Sequence, residues 1–128
     1  DAPPGENFDV ALSILVAHFV KRDERLSFYQ AMYDRLYTNG ILINTEISFD
    51  LNSPEFPLML KNWETVQSTM GATPESLANL SMQLREMLSV ISPIETERLL
   101  NKSGFHLPVR FFQTFMISGW YGIKNQGS

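Results

Sequence analysis

The segment FDVALSILV, Phe8 to Val16, is a nearly continuous apolar run set between DAPPGEN and KRDE. A run that short and that unbroken suits a strand buried on both faces, although Ala and Leu also allow a buried helical segment. Asp23 then offers an N-cap and Glu24 a first-turn acid, which complement the free amides of a helix start. Leu26, Tyr29, Met32, Tyr33 and Leu36 recur at three- and four-residue spacing and predict one buried helical face, closed by Asn39-Gly40. A second strand is expected in GILINTEISF, with Ile41, Ile43, Ile47 and Phe49 as apolar contacts. Two strands joined through an amphipathic helix make a right-handed crossover and hence a parallel pair, because antiparallel neighbours need no helix between them.

The next stretch, 52–91, reads as helix. Ser53-Pro54-Glu55 and Thr73-Pro74-Glu75 are start signals, and Gly71 separates their two helices. Phe56, Met59, Leu60, Trp63, Val66 and Met70 repeat along the first, and Leu77, Leu80, Leu84, Leu88 and Ile91 along the second. Ser92-Pro93-Ile94-Glu95 is a full capping box, opening a helix that ends between Asn101 and Gly104. The tail returns to strands: Phe111–Met116 and Trp120–Lys124 are expected as a hairpin turning at Ser118-Gly119, on the edge of the sheet begun by the first two strands. The fold class is therefore α/β, and no internal repeat is present.

Composition closes off several functions. The 128 residues fit one domain, and 44% hydrophobic with 19% charged residues excludes disordered and low-complexity classes. A net charge of −4 gives no strong nucleic-acid footprint and no attraction to an anionic membrane. Cysteine is absent, which removes disulfide and thiolate chemistry, and the two histidines, His18 and His106, lack metal-site spacing. The start carries neither the basic region nor the apolar core of a signal peptide, and no run reaches the ~20 residues of a membrane span, so a cytoplasmic location is expected. Because the sequence starts without Met in a loop-like stretch and ends in Gly-Ser, it is read as a piece of a longer protein.

Three words, FDVALSILVAHFVKRDERLSFYQAMYDRLYTNGILINTE, SPIETERLLNKSGF and FFQTFMISGWYGIK, resemble in order and spacing the C-terminal half of class I, Rossmann-like S-adenosylmethionine-dependent methyltransferases. Within that family they look most like the carboxy-S-adenosylmethionine synthase and tRNA wobble-uridine modification subgroup. The resemblance implies a partial Rossmann-like methyltransferase fold: a mixed sheet with a C-terminal antiparallel hairpin, and residues 52–91 as a helical insertion or substrate cap within a methyltransferase portion 1-128. It implies S-adenosylmethionine as cofactor, S-adenosylhomocysteine as product, and a small-molecule or modified-nucleoside substrate. The family's glycine-rich turn and ribose-binding acid have no counterpart here, and four of its seven strands are represented. The missing neighbour of the first strand implies either a homo-oligomer or completion by a missing N-terminal half.

Residue by residue, the resemblance places Asp1 and Ala2 near adenine, Ser13, Ile14 and Leu15 beside the methionyl part of the cofactor, and His18 on the loop that closes over it. Glu46 falls where the family helps shape the substrate mouth, and Trp63, with Met59 and Met70, where the insertion roofs it. Each of these also has a plain structural reading as core, cap or surface. Arg85 and Arg110 are candidate contacts for an anionic substrate, or solvated charges. Ser81-Met82 stand where the synthase subgroup uses Lys-Arg toward the extra carboxylate, a departure that argues against carboxy-S-adenosylmethionine. Two alternatives to methyl transfer by the parent polypeptide remain: a noncatalytic methyltransferase-like interaction module and a carboxy-S-adenosylmethionine synthase. The isolated piece is expected to be inactive.

Overall fold

The computed structural model describes residues 6–125. Its four strands are β1 (Phe8–Ile14), β2 (Leu36–Ile47), β3 (Val109–Thr114) and β4 (Ile117–Ile123), in sheet order β1-β2-β4-β3. The expected parallel pair is present, with Val10 opposite Ile41 and Ile14 opposite Thr45. β4 runs antiparallel to both β2 and β3, so it alone is reversed, and it lies inside the sheet rather than at its edge. The crossover helix is α1 (Arg25–Asp34), and α5 (Pro93–Ser103) packs beside it on the same face.

The period of the strands sorts their side chains. Ala11 and Ser13 of β1, Leu42, Asn44 and Glu46 of β2, and Trp120 and Gly122 of β4 turn toward α1 and α5 and are buried or nearly so. There Tyr29, Leu36, Leu42, Leu100, Phe105 and Trp120 form the main core. The opposite face carries Val10, Leu12, Ile14, Ile41, Tyr121 and Ile123, all exposed among the described residues. A register shift between Arg110 and Phe112 lets Phe111 and Phe112 lean on this same face, over Gly119 and toward Tyr121. The apolar run of β1 is thus a strand, but only one of its faces is buried here, since Leu12 is 64% exposed.

Several boundaries depart from the sequence reading. α1 stops at Asp34, and Leu36 begins β2 instead of finishing the helix. Burial explains this: Leu36 packs into the core below the sheet, while Phe8 N–H donates to Arg35 O at 2.8 Å and starts the parallel ladder there. Asn39-Gly40 lies within β2, at the register slip between the Phe8–Leu36 and Val10–Ile41 pairs. Asn39 has φ 71°, its N–H meets Lys124 O at 2.6 Å, and a Cβ on Gly40 would sit 2.8 Å from Tyr37 O. Similarly, Ser118-Gly119 is inside β4, and the hairpin turns at Phe115-Met116 with Phe115 at φ 51°. Glycine is needed at 119 for packing: a Cβ would lie 2.5 Å from the Phe112 ring.

The helical stretch between β2 and α5, called the cap below for its position only, comprises α2 (Phe56–Thr69), α3 (Pro74–Ala78) and α4 (Leu80–Met82), the last running into a π-helical turn at Gln83–Met87. The single helix expected to continue to Ile91 is therefore broken. Thr73 caps α3 as expected, its Oγ1 accepting from Ser76 N–H at 3.2 Å. Ser53 does not cap α2, which begins two residues beyond Pro54 with Glu55 at its N-cap. A second core of Phe56, Leu84 and Met116 joins the cap to the hairpin. No helix among the described residues is long and apolar enough to cross a membrane.

Candidate functional site

In open α/β sheets ligands bind beyond the carboxyl ends of the parallel strands, and here β1 and β2 both end at one rim. β1 leaves the sheet through Leu15 in the left-handed region, φ 55°, pinned by its N–H to Thr45 O at 2.8 Å and Thr45 Oγ1 at 3.2 Å. Such a conformation is uncommon for a bulky residue and persists only where its surroundings enforce it. It leaves Ile14, Leu15 and Val16 as an exposed apolar lip. A 3₁₀ turn, Ala17–Phe19, follows and turns His18 inward.

His18 is gripped at two points. Ile47 N–H donates to its Nδ1 at 3.1 Å, and its own carbonyl accepts from Ser89 N–H at 2.8 Å. Desolvation, and then the Arg25 cation, lower its pKa from the ordinary 6.5. With Nδ1 occupied as an acceptor, the neutral ring carries its proton on Nε2 and offers an N–H donor.

Behind His18 lies a buried ion pair that the sequence reading missed. Arg25 Nη1 meets Glu46 Oε2 at 2.9 Å, with both side chains fully inaccessible. Glu46 also accepts from Tyr29 OH, from Asn44 Nδ2 at 2.8 Å and from Thr96 Oγ1 at 3.3 Å. Arg25 reaches the carbonyls of Val20 and Ser89 as well. A buried pair gains little over apolar packing unless its remaining hydrogen-bonding capacity is met, and here it largely is. Burial, with Glu46 next, pushes the Tyr29 phenol far up, so it stays a donor. Arg25 therefore ties three segments together: the loop after β1, the end of β2 and the chain returning from the cap. Its signal in the sequence was a charge directly beside the Leu26–Tyr29 face, on the helix that crosses over from one strand to the other.

A cleft of about 320 Å³ opens at the same rim between the end of β2, the cap and the start of α5. Its charged groups are Arg22, Asp50, Arg85 and Glu95. Ser92 caps α5 through Glu95 N–H at 3.2 Å, as the capping box requires, but the Glu95 carboxylate is taken by Arg22 rather than returned to the Ser92 amide. A second, wider groove of about 630 Å³ follows the open edge of β1 and α1, lined by Leu12, Ser13, Val16, Phe28 and Met32 among others.

The expected site residues are thus distributed. Asp1 and Ala2 lie outside the described residues. Ser13 is buried on the helical side of β1 and borders the wide groove, while Ile14 and Leu15 form the lip. His18 and Glu46 are joined through Arg25, and Glu46 has no exposed surface. Trp63 packs in the cap core, its ring 5.8 Å from Phe115 and edge-on to it, and borders neither of the two clefts. Arg110 pairs with Glu97 on the hairpin side, at 3.3 Å. No group of three His, Asp or Glu among the described residues could hold a metal.

The arrangement has close counterparts in solved structures. An O-methyltransferase family protein from Burkholderia thailandensis superposes with a TM-score of 0.66 at 10% identity, over 98% of this chain and 32% of that one. The fold is that of the Rossmann-like methyltransferases, in part. Human N-acetylserotonin methyltransferase, in complex with S-adenosylmethionine, matches at TM-score 0.61 and 16% identity over 98% and 32% of the two chains. The S-adenosylmethionine-dependent methyltransferase SibL matches at 0.64 and 14%, over 98% and 33%. The chain spans about a third of the length of these methyltransferases. No protein-family model and no curated protein sequence matches it.

S-adenosylmethionine has a charged amino-acid end that such folds hold on a glycine-rich strand-to-helix turn. Of the described glycines, Gly40, Gly119 and Gly122 lie in strands and Gly71 and Gly104 follow helices, so none forms that cradle. The described residues therefore do not by themselves fit the whole cofactor.

Proposed function

We propose that this chain is the C-terminal portion of a methyltransferase domain, residues 1-128 with 52–91 as its substrate cap, and that the complete polypeptide transfers the methyl group of S-adenosylmethionine. The acceptor is a nucleophilic oxygen, nitrogen or carbon on a small molecule or modified nucleoside. The observation that carries this reading is the sheet, in which β4 alone is reversed and sits between β2 and β3, matched across nearly the whole chain by methyltransferases. Fold alone does not fix function. Two further features support it: a rim with a strained, exposed lip beside a buried histidine, and an apolar face and strand edge that a longer chain would cover.

In this reading Ser13, Ile14, Leu15 and His18 stand on the cofactor side with Asp1 and Ala2, and His18 contributes a positioned Nε2–H. Glu46 acts from beneath the substrate mouth by holding Arg25, and Trp63 holds the roof onto the hairpin. Transfer of an already activated methyl group requires alignment and exclusion of water more than acid or base residues. Methyl transfer is favoured over carboxy-S-adenosylmethionine synthesis because Ser81-Met82 lack the cations that the extra carboxylate would need.

The decisive experiment uses the polypeptide extended upstream of Asp1. It should bind S-adenosylmethionine and release S-adenosylhomocysteine with an acceptor from a panel of phenols, acids and nucleosides. Failure of the extended polypeptide to bind the cofactor would overturn the enzymatic reading in favour of a noncatalytic module built around the bare sheet face. Recovery of the carboxylated cofactor from it would favour the synthase.

A further inference from the structure

The rim cleft contains one cation that the fold has oriented but not neutralised. Arg85 stacks its guanidinium on Phe56, 5.0 Å from the ring centroid, and donates from Nη2 to Leu51 O at 3.1 Å. No carboxylate among the described residues pairs with it, although the neighbouring cation, Arg22, is paired with Glu95. A guanidinium held by an aromatic face and a carbonyl keeps its other N–H groups in a fixed fork, the geometry that receives a planar carboxylate.

The rest of the lining narrows the ligand. Phe49, Leu51 and Val90 supply the smaller, apolar part of a lining that is mainly polar, so the cleft suits a compact ligand rich in polar groups. Asp50 holds Asn52 N–H on Oδ1 at 3.0 Å, leaving its second oxygen to accept from a ligand donor. The volume, about 320 Å³, stands at the small end of ligand pockets, which run from ~300 to 1,000 Å³. Charge decides between anions: with Arg22 paired to Glu95, Arg85 is the one cation of the lining without a carboxylate partner, so a carboxylate brings the single charge it can match where a dianionic phosphate would bring two.

We propose that this cleft binds a small carboxylic acid carrying a hydroxyl or amino donor, its carboxylate on Arg85 and its donor toward Asp50. Resting on the methyltransferase reading, this makes the methyl acceptor an anionic hydroxy or amino acid. The cap and the strand ends build the cleft together, so the cap selects the substrate by charge as well as by shape.

The test needs no cofactor and is therefore separate from the methyltransferase reading. The ¹⁵N-labelled 128-residue chain is titrated with 4-hydroxybenzoate, with its uncharged counterpart 4-hydroxybenzamide, and with inorganic phosphate. The expected result is a saturable shift of the Arg85 Nε–H and the Leu51 and Ile91 amides with the carboxylate, and at least tenfold weaker response to the other two. Arg85→Gln should abolish the shift and Arg85→Lys should weaken it severalfold, while resonances of the α1 and α5 core stay in place. Equal binding of the benzamide, stronger binding of phosphate, no saturable shift with 4-hydroxybenzoate, or full binding by Arg85→Gln would each overturn the proposal.

Discussion

Glu46 accepts from Arg25, Tyr29, Asn44 and Thr96 with no water-accessible surface, so removing its charge leaves a buried guanidinium without an anion. Glu46→Gln should therefore cost about 3–5 kcal/mol, read from urea midpoints, although it preserves shape. Arg25→Met should cost a similar amount, and the double variant clearly less than the sum, because each single change strands the same partner. His18 gives a pH signature. Its folded pKa lies below 6.5, so on acidification through 6.5 the unfolded chain takes up the proton first. Its contribution to stability is complete above 6.5 and is lost as pH falls toward the folded value. An imidazole titration by NMR should place the midpoint below 6.5, and the fall in stability between about pH 7 and pH 5 should be shallower in His18→Gln. A midpoint above 6.5 would contradict the desolvated, Arg25-facing ring. The sequence marks Glu46, His18 and Tyr29 but not the network: the cation at its centre, Arg25, lies 21 residues before Glu46 and resembles any surface charge at a helix start.

At the scale of elements, some local signals were legible and others were not: Thr73 and Ser92 cap their helices, whereas Asp23 and Ser53 do not. The caps at Thr73 and Ser92 and the crossover from β1 through α1 to β2 follow from residues a few positions apart. The boundaries misplaced around the strands are those decided across the sheet. Asn39-Gly40 resembles a helix stop, but Lys124 from the far end of the chain draws it into β2. Ser118-Gly119 resembles a turn, but the Phe112 ring requires Gly119 in a strand. The N-terminus of α5 permits a clean comparison. Ser92→Ala should cost about 1 kcal/mol through the lost cap. Arg22→Ala should cost under about 1 kcal/mol, since the pair is largely exposed and the freed Glu95 can return to the Ser92 amide and complete the box. Thermal or urea unfolding of both variants checks the ranking, and a larger loss for Arg22→Ala would show that the ion pair, not the cap, holds this end.

At the largest scale the sheet is half dressed: helices cover one face, and the other presents Val10, Leu12, Ile14, Ile41, Tyr121 and Ile123 beside a β1 edge that is unpaired among the described residues. Apolar patches of this kind and open strand edges promote association. Sedimentation of the isolated chain should show more than one copy, and Leu12→Lys or Tyr121→Lys should shift it toward monomer. A monodisperse monomer across a wide concentration range, with the β1 amides strongly protected from exchange, would mean that the edge is covered internally. Calorimetry on the same chain should find S-adenosylmethionine affinity no better than about 1 mM, equivalent to about −4 kcal/mol, since the described residues include no glycine-rich strand-to-helix turn to hold the charged end of the ligand. The cap, finally, leaves and rejoins the sheet at nearly one point: Ser48 bridges Ile91, Phe49 N–H meets Ile91 O, and Ser48 N–H meets Met116 O. A segment whose two ends are pinned side by side can change length at small entropic cost, about 0.6 kcal/mol for each doubling. Such an insertion is mechanically a side branch: its length can vary while the strands on either side keep their register.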